Sequence, residues 1–426
     1  MHQIRYSSRE LLFLFALAVV AQLAGNAQER STGTVPRLLS LPAATEIMLQ
    51  NNPLMLREQQ NLPMARSTVV EAGKRPNPEF EIASESYPAF GTSPGEFLNN
   101  QELSFRAGAT IETAGKRKKR ISVAKQNVAI AGASVDEAVR QSKLELKRRY
   151  YDVVLAKAQA ELAQQLLDQF DQMIRVTEAR YKQGEISGLE MSRTRAERAR
   201  FFEDLIDANL QLNNSKLSLI ETLGIPDYTT SFEVEEKLTF EKKTIDIDQL
   251  LRQASDIRPD LATARYGVER NSNRLDLEHA NTVPNVTTTF GYKRDFGTNT
   301  PVLALSMPLP LFNRNQAGVA RARAELEQQR QEFNRVSLAV ARQVQQACQT
   351  ASANAAKVEA LDKEYVPSAK RSLEIAQESY RLGSLDLISL LDTERTYRET
   401  LRSYNQALYD HGVAIFELEA AVGKEF

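Results

Sequence analysis

Apolar positions recur along this chain with two different periods, and the change from one to the other lays out its elements. The closing segment shows the longer period most cleanly. Leu390, Tyr397, Leu401, Tyr404, Leu408, Ile415, Leu418 and Val422 follow alternating steps of four and three, with Glu394 and His411 as polar interruptions. That is the seam of a coiled coil. Earlier, Val154, Ala158, Leu162, Leu166, Phe170, Met173 and Tyr181 fall on one stripe of a proline-free span from Lys116 to Gln183. Those 68 residues predict a rod on the order of 100 Å long at ~1.5 Å rise per residue. A counterpart runs from Gln316 to Leu382, where Pro367 is expected to kink it. Such amphipathic rods are not stable alone; their stripes must be buried against neighbours.

The shorter period marks two β-hairpins. Phe80 and Ile82 alternate with Glu79 and Glu81, and the return strand sets Leu103 and Phe105 against Ser104 and Arg106. In the second hairpin, Val286 to Tyr292 is β-branched and aromatic, and a polar turn is expected over Lys293 to Asn299. Val302 to Met307 then returns with Leu303, Leu305 and Met307 on one face. An apolar face opposite a charged one suits a wall between lipid and water. A half-buried soluble hairpin gives the same alternation.

The chain is duplicated. Tyr181 and Gly184 are matched by Tyr380 and Gly383, both 199 positions later, and Leu223-Gly224 is matched by Val422-Gly423 at that same distance. Asn52-Pro53-Leu54 corresponds to Arg258-Pro259-Asp260-Leu261, and Pro76-Asn77-Pro78 to Pro284-Asn285-Val286. The fold is therefore expected to be mainly α with a small β part, built from two helix–β-hairpin–long-helix units. The first covers residues 28–224 with its hairpin near 78–108, and the second covers 247–426 with its hairpin near 285–308. Residues 225–246 form a linking segment whose Phe232–Glu235 and Leu238–Phe240 read as short strands or extended chain around the helices.

Composition adds direction. Arg5 and Arg9 precede the apolar run Leu11 to Ala21, and Gly25 and Ala27 suit cleavage before Gln28. Residues 1–27 are thus expected to be a secretory signal peptide, its core shorter than the ~20 residues of a membrane span. No later stretch is apolar enough for a spanning helix, so an exported chain that crosses a membrane must do so as a barrel. The formal net charge of -1 marks no nucleic-acid binder. The basic run Lys116 to Arg120 sits where the chain would leave the membrane, and reads as lipid-headgroup contact or a solvated helix start. Cys348, the single cysteine, reads as a small core residue.

With a Tyr-x-x-Gly turn in each half, the duplicated plan resembles the TolC family of outer membrane factors. The segment Pro308 to Gln316 and the motif Arg258-Pro259-Asp260-Leu261 look like the branch typified by the outer component of cobalt–zinc–cadmium efflux systems. The resemblance covers about Leu38 to Gly423. It implies a homotrimer whose four strands per chain make a 12-stranded transmembrane barrel in the outer membrane, continued by a periplasmic α-helical barrel. Partners implied are a periplasmic adaptor protein, an inner-membrane RND-type pump and outer-membrane lipid. Four strands are too few to close a barrel, and an open edge in lipid is costly, so partner chains are physically required.

By position, the resemblance makes Tyr181, Gly184, Ile186, Tyr380, Gly383 and Leu385 candidates for adaptor contact at the periplasmic tip. Asp386, Ser389 and Asp392 are gate candidates, since family members close the tip with acidic rings near here. Asp392 matches one such ring and Ser389 departs from the other. Phe80, Ile82, Leu103, Phe105, Leu303 and Leu305 are expected to face lipid, with Phe290, Tyr292 and Phe296 as girdle aromatics in a chain without Trp. No constellation suits an enzyme, a cofactor or a bound metal. His2, His279, His411 and Cys348 lack ligand spacing. Gly115-Lys116-Arg117 lacks the second glycine and the Ser or Thr of a phosphate loop. The rival reading is a periplasmic coiled-coil adaptor or scaffold without a membrane barrel.

Overall fold

The computed structural model describes residues 35–85, 101–295 and 297–426; the expected signal peptide and Phe296 lie outside them. Strand β1 (Leu38–Leu39) leads into helices α1 (Leu41–Asn51), α2 (Pro53–Gln59) and α3 (Asn61–Gly73). Strands β2 (Glu79–Glu85) and β3 (Glu102–Ile111) follow, then α4 (Lys116–Lys182) and α5 (Gly188–Leu223). The second half runs β4 (Glu233–Val234), α6 (Ile247–Ile257), α7 (Pro259–Asn281), β5 (Val286–Asp295) and β6 (Thr298–Ser306). It closes with α8 (Gln316–Ala360), α9 (Val366–Arg381) and α10 (Leu387–Val422).

Local chemistry sets these limits. Pro53 and Pro259 stand at the first turns of α2 and α7, where a missing N–H costs nothing. At Pro367 the helix does not stop; a five-residue π turn, Leu361–Tyr365, carries the chain from α8 into α9. The wider turn falls where the lost donor of Pro367 predicts a kink. In the second hairpin the strands extend into the expected seven-residue turn. Arg294 faces Asn299 and Asp295 faces Thr298, and the left-handed φ of +88° at Gly297 lets the chain reverse.

The core lies where the repeats' closing helices end. Leu146, Tyr150, Leu219, Ile220 and Leu223 gather Met48, Phe232 and Val234 into one buried cluster. Val340, Val344, Cys348, Leu418 and Val422 form its counterpart with Ala254. Cys348 is a core residue, and burial pushes its thiol up from its ordinary value. Gly224 closes α5 at φ +74°, and a Cβ there would stand 2.7 Å from the Asn51 carbonyl oxygen, so only glycine fits. The linking segment contributes one parallel pairing, Leu38 with Glu233 and Leu39 with Val234. Of the two readings of Leu238–Phe240, short strand or extended chain around the helices, the second holds, and both side chains pack on the helices. Phe240 lies 5.0 Å from the ring of His411, which is buried.

The basic run is engaged by protein at three of its members, and for the buried Lys116 this corrects the lipid-contact reading. Lys116 is buried and donates to the Val283 carbonyl at 2.6 Å and to Asn285 Oδ1 at 2.5 Å. Arg117 donates to the Gly73 carbonyl at 2.5 Å, and Arg120 binds Glu112 and the Lys74 carbonyl. These bonds tie the start of α4 to the ends of α3 and α7.

Candidate functional site

One end of the molecule is an antiparallel sheet in the order β2–β3–β5–β6. Its register sets Ile82 opposite Phe105, Phe105 opposite Tyr292, and Phe290 opposite Leu303. Directly paired residues share a face. Phe80, Ile82, Leu103, Phe105, Phe290, Tyr292, Leu303 and Leu305 therefore form one apolar surface. Leu303 is 85% exposed, Leu305 75% and Phe80 69%; Leu103 shares the face but is half-buried. The other face carries Glu79, Glu81, Arg106, Thr110, Thr287 and Thr289, with an ion pair joining Lys293 and Glu102. None of the sheet's residues belongs to the buried core clusters.

At the other end, two turns close the helix pairs with the same bonds. Glu185 N donates to the Arg180 carbonyl at 3.0 Å, and Ser384 N donates to the Ser379 carbonyl at 2.9 Å. Gly184 and Gly383 adopt φ of +76° and +78°, the left-handed conformation such a helix stop requires. The next helix in each half is capped by a side chain, Ser187 accepting from Glu190 N and Asp386 accepting from Ile388 N and Ser389 N.

The turns differ in what they present. Tyr181 is 48% exposed, while Tyr380 is 3% exposed and packs with Leu373, Ala376, Leu387 and Leu390. Tyr380, named with Tyr181 among the adaptor-contact candidates, is thus packed in the core and shows only an edge to the neighbouring groove. Arg180 adds to this cover. Its guanidinium lies 5.0 Å from the Tyr380 ring and donates to the Tyr380 carbonyl at 2.7 Å, joining the two turns. Gly184 and Gly383 are exposed, and Ile186 and Leu385 are half-buried. Among the gate candidates, Asp386 accepts from the Ser389 hydroxyl at 2.6 Å and caps α10. The Ser389 hydroxyl and these amides hold its carboxyl below the usual range. Asp392 is exposed and pairs with Arg395 at 2.7 Å.

Beginning at Glu394, eleven residues after Gly383, the helices hold a charged cluster inside their packing. Phe170 and Phe201 stack at 4.5 Å, and the Arg398 guanidinium lies 4.8 Å from the Phe201 ring. Asp204 on α5 receives Arg402 at 2.9 Å and Arg398 at 3.6 Å. Glu394, one turn before Arg398, is 8% exposed. Burial pushes its carboxyl up to about 7, Arg398 opposing and Glu197 adding to the shift. Sequence reading found Glu394 only as an interruption of the seam, and it missed Arg180. An arginine in a helix's last turn reads as complementing the helix dipole, and nothing in the chain announces what it reaches.

The motif Arg258-Pro259-Asp260-Leu261 serves packing. Arg258 is buried, donates to the Ala421 carbonyl at 2.8 Å and to Gln343 at 2.9 Å, and pairs with Asp260 at 2.5 Å. Among the described residues, no group of three or more His, Cys, Asp or Glu is placed to hold a metal ion, and no helix is long and apolar enough to cross a membrane.

A family model described as outer membrane efflux protein matches residues 45–225 and 250–424. The cobalt-zinc-cadmium resistance protein CzcC of Cupriavidus metallidurans is 23% identical over 363 residues, 84% of this chain and 84% of its own length. The pyoverdine export outer membrane protein OpmQ of Pseudomonas putida is 24% identical over 259 residues, 58% of this chain and 54% of its own. Among solved structures the fold is similar to CusC, studied for folding and transmembrane channel formation, with a TM-score of 0.76, 18% identity, and coverage of 90% of this chain and 92% of that one. It is also similar to the open state of the MtrE outer membrane channel of Neisseria gonorrhoeae, with a TM-score of 0.74, 18% identity, and coverage of 91% and 89%.

Proposed function

The chain belongs to the outer membrane efflux protein family, and from that membership we propose that it is the passive exit duct of a tripartite efflux pump. Three copies pool their four-stranded sheets into a 12-stranded barrel in the outer membrane. Their long helices continue as a hollow periplasmic cylinder that receives substrate from an inner-membrane RND-type pump through an adaptor protein. Energy comes from the pump, so the duct needs no chemistry of its own. The cargo we assign is heavy-metal cations, on the likeness to CzcC, which spans more of this chain than the likeness to OpmQ.

The observation that carries this reading is the sheet. A four-stranded ribbon with one apolar face, one charged face and two open edges is unstable in water and incomplete in lipid. Burial in lipid satisfies the apolar face, and neighbouring copies satisfy the edges. A soluble scaffold would instead lay the apolar face on its own helices. Adaptor contact falls to the exposed Tyr181, Gly184 and Gly383 and the half-buried Ile186 and Leu385. A groove of 510 Å³ next to the second turn is lined by Gln172, Met173, Leu373, Gln377, Tyr380 and Tyr397. Asp392 is the remaining gate candidate.

Leu303→Arg tests the duct against the scaffold. A charge on the lipid face costs roughly 2–4 kcal/mol per chain near the bilayer midplane, and three chains multiply it. The variant is expected to lose the heat-modifiable trimer from outer-membrane fractions. Wild-type yield of a soluble, folded variant would refute the barrel.

A further inference from the structure

The segments that join the sheet to the helices carry charge of one sign. Residues 74–78, 112–120, 282–285 and 307–315 hold eight cations, Lys74, Arg75, Lys116 to Arg120 and Arg314, against one carboxylate, Glu112. The chain as a whole carries a formal net charge of -1. Among the described residues, the one ion pair in these segments joins Arg120 to Glu112. Lys116 is buried on Val283 and Asn285. Arg117 and Arg314 reach only backbone carbonyls, those of Gly73 and Pro310. Lys74, Arg75 and Lys118 are exposed and Lys119 is half-buried, and none of the four has a carboxylate partner among the described residues. At the sheet's other end charge is matched, Lys293 pairing with both Glu102 and Asp295.

We propose that this collar binds the headgroup phosphates of anionic phospholipid in the periplasmic leaflet of the outer membrane. The proposal rests on the barrel reading above and adds a lipid class to it. Like charges gathered at a surface repel one another until an anionic partner neutralises them. A basic cluster directly beside a membrane-embedded apolar surface fits an acidic headgroup layer. The apolar surface runs on to the collar. Met307 keeps the alternation of Leu303 and Leu305, and beyond it Leu309, Leu311 and Phe312 are all exposed on the way to Arg314.

Helix phase sets the cations on the lipid side and not in the bore. Arg117 and Lys118 stand 36 positions before Val153 and Val154. That is about ten turns at ~3.6 residues per turn, so each pair shares a face of α4. Val153 and Val154 are buried in the cluster that gathers Phe232 and Val234 of the linking segment. A segment laid across the helices lies outside any cylinder they enclose. Arg117 and Lys118 therefore point outward, below the apolar face of the sheet. The bonds of Lys116 to Asn285 and of Arg120 to Glu112 and the Lys74 carbonyl lock the connecting segments together. The free cations are thus presented from a fixed frame.

Native mass spectrometry of the full-chain trimer, titrated with phosphatidylglycerol or with phosphatidylcholine of the same acyl chains, tests the collar. Phosphatidylglycerol is expected to bind about tenfold more tightly, and the preference to shrink as salt is raised. The triple variant Lys74→Gln, Arg75→Gln, Lys118→Gln removes only exposed, unpaired charges. At roughly fivefold per cation it is expected to erase the preference. The control Lys237→Gln, Lys243→Gln, Arg252→Gln removes the same charge from exposed positions of the linking segment and α6, and is expected to leave the preference intact. Equal binding of the two lipids by the wild-type trimer overturns the proposal without any variant. So does a preference that the collar variant keeps, or that the control loses equally. Inorganic phosphate that displaces phosphatidylglycerol at equal concentration would also overturn it, showing a site for a free anion and not a lipid surface. A chain that forms no heat-modifiable trimer overturns the barrel reading and this proposal with it, whereas a trimer indifferent to lipid charge overturns this proposal alone.

Discussion

Glu394→Gln isolates the buried carboxyl while keeping its shape. In the folded chain the carboxyl is pushed up from 4.5 to about 7 by burial among Phe201, Arg398 and the α10 seam. In an opened segment it returns to its ordinary value. Below pH 4.5 both states carry the proton and the full stability is present. As pH rises the opened state ionises first, and stability is lost until the folded carboxyl also ionises near pH 7. The difference of about two and a half pH units corresponds to about 3 kcal/mol at ~1.4 kcal/mol per unit. Part of this is already spent at pH 5, so local opening should become roughly seventyfold more frequent between pH 5 and pH 8. Hydrogen exchange of peptides spanning residues 390–402, corrected for the intrinsic rate, reads this opening directly. Wild-type protection is expected to fall steeply over that range, and the Gln variant to stay nearly flat. Parallel curves would show that Glu394 ionises freely and that the cluster around Arg398 is open to water.

Arg180→Ala removes the bond to the Tyr380 carbonyl and the contact with its ring. The loss is expected to be about 2 kcal/mol, seen as roughly tenfold or greater acceleration of limited proteolysis at both turns. Unchanged cleavage would mean that the turns are held by backbone bonds alone. Asp392→Ala breaks an exposed pair with Arg395, so stability should hardly move. In the proposed trimer three such carboxylates would face the bore, so single-channel conductance in planar bilayers should rise in their absence; unchanged conductance would take Asp392 off the gate.

What was legible in the sequence follows from how locally each feature is determined. The long helices were readable because their period repeats for tens of residues and Gly184 and Gly383 mark their stops at left-handed φ. The length of the second hairpin was not. Lys293 reads as a turn residue, yet its ion pair with Glu102 on the neighbouring strand keeps it in register. The basic run misled for the same reason: Lys116 is matched to Asn285, 169 positions away.

The two tip tyrosines show the limit most sharply. Tyr181 and Tyr380 occupy the same place in the same motif, and the hydrogen bonds around them coincide at a distance of 199 residues. Their opposite exposures follow from their neighbours: Leu387 and Leu390 pack on Tyr380 where the first half has Gly188 and Met191, and the position before each tyrosine adds to the difference. Arg180 is long enough to cross from the first turn and lie over Tyr380, whereas its counterpart Ser379 cannot reach back over Tyr181. Duplication therefore preserves the backbone of the tip while a few side chains break its symmetry. The first turn is left with the exposed ring and the second with the buried one, so a partner docking here meets two unlike surfaces in every chain.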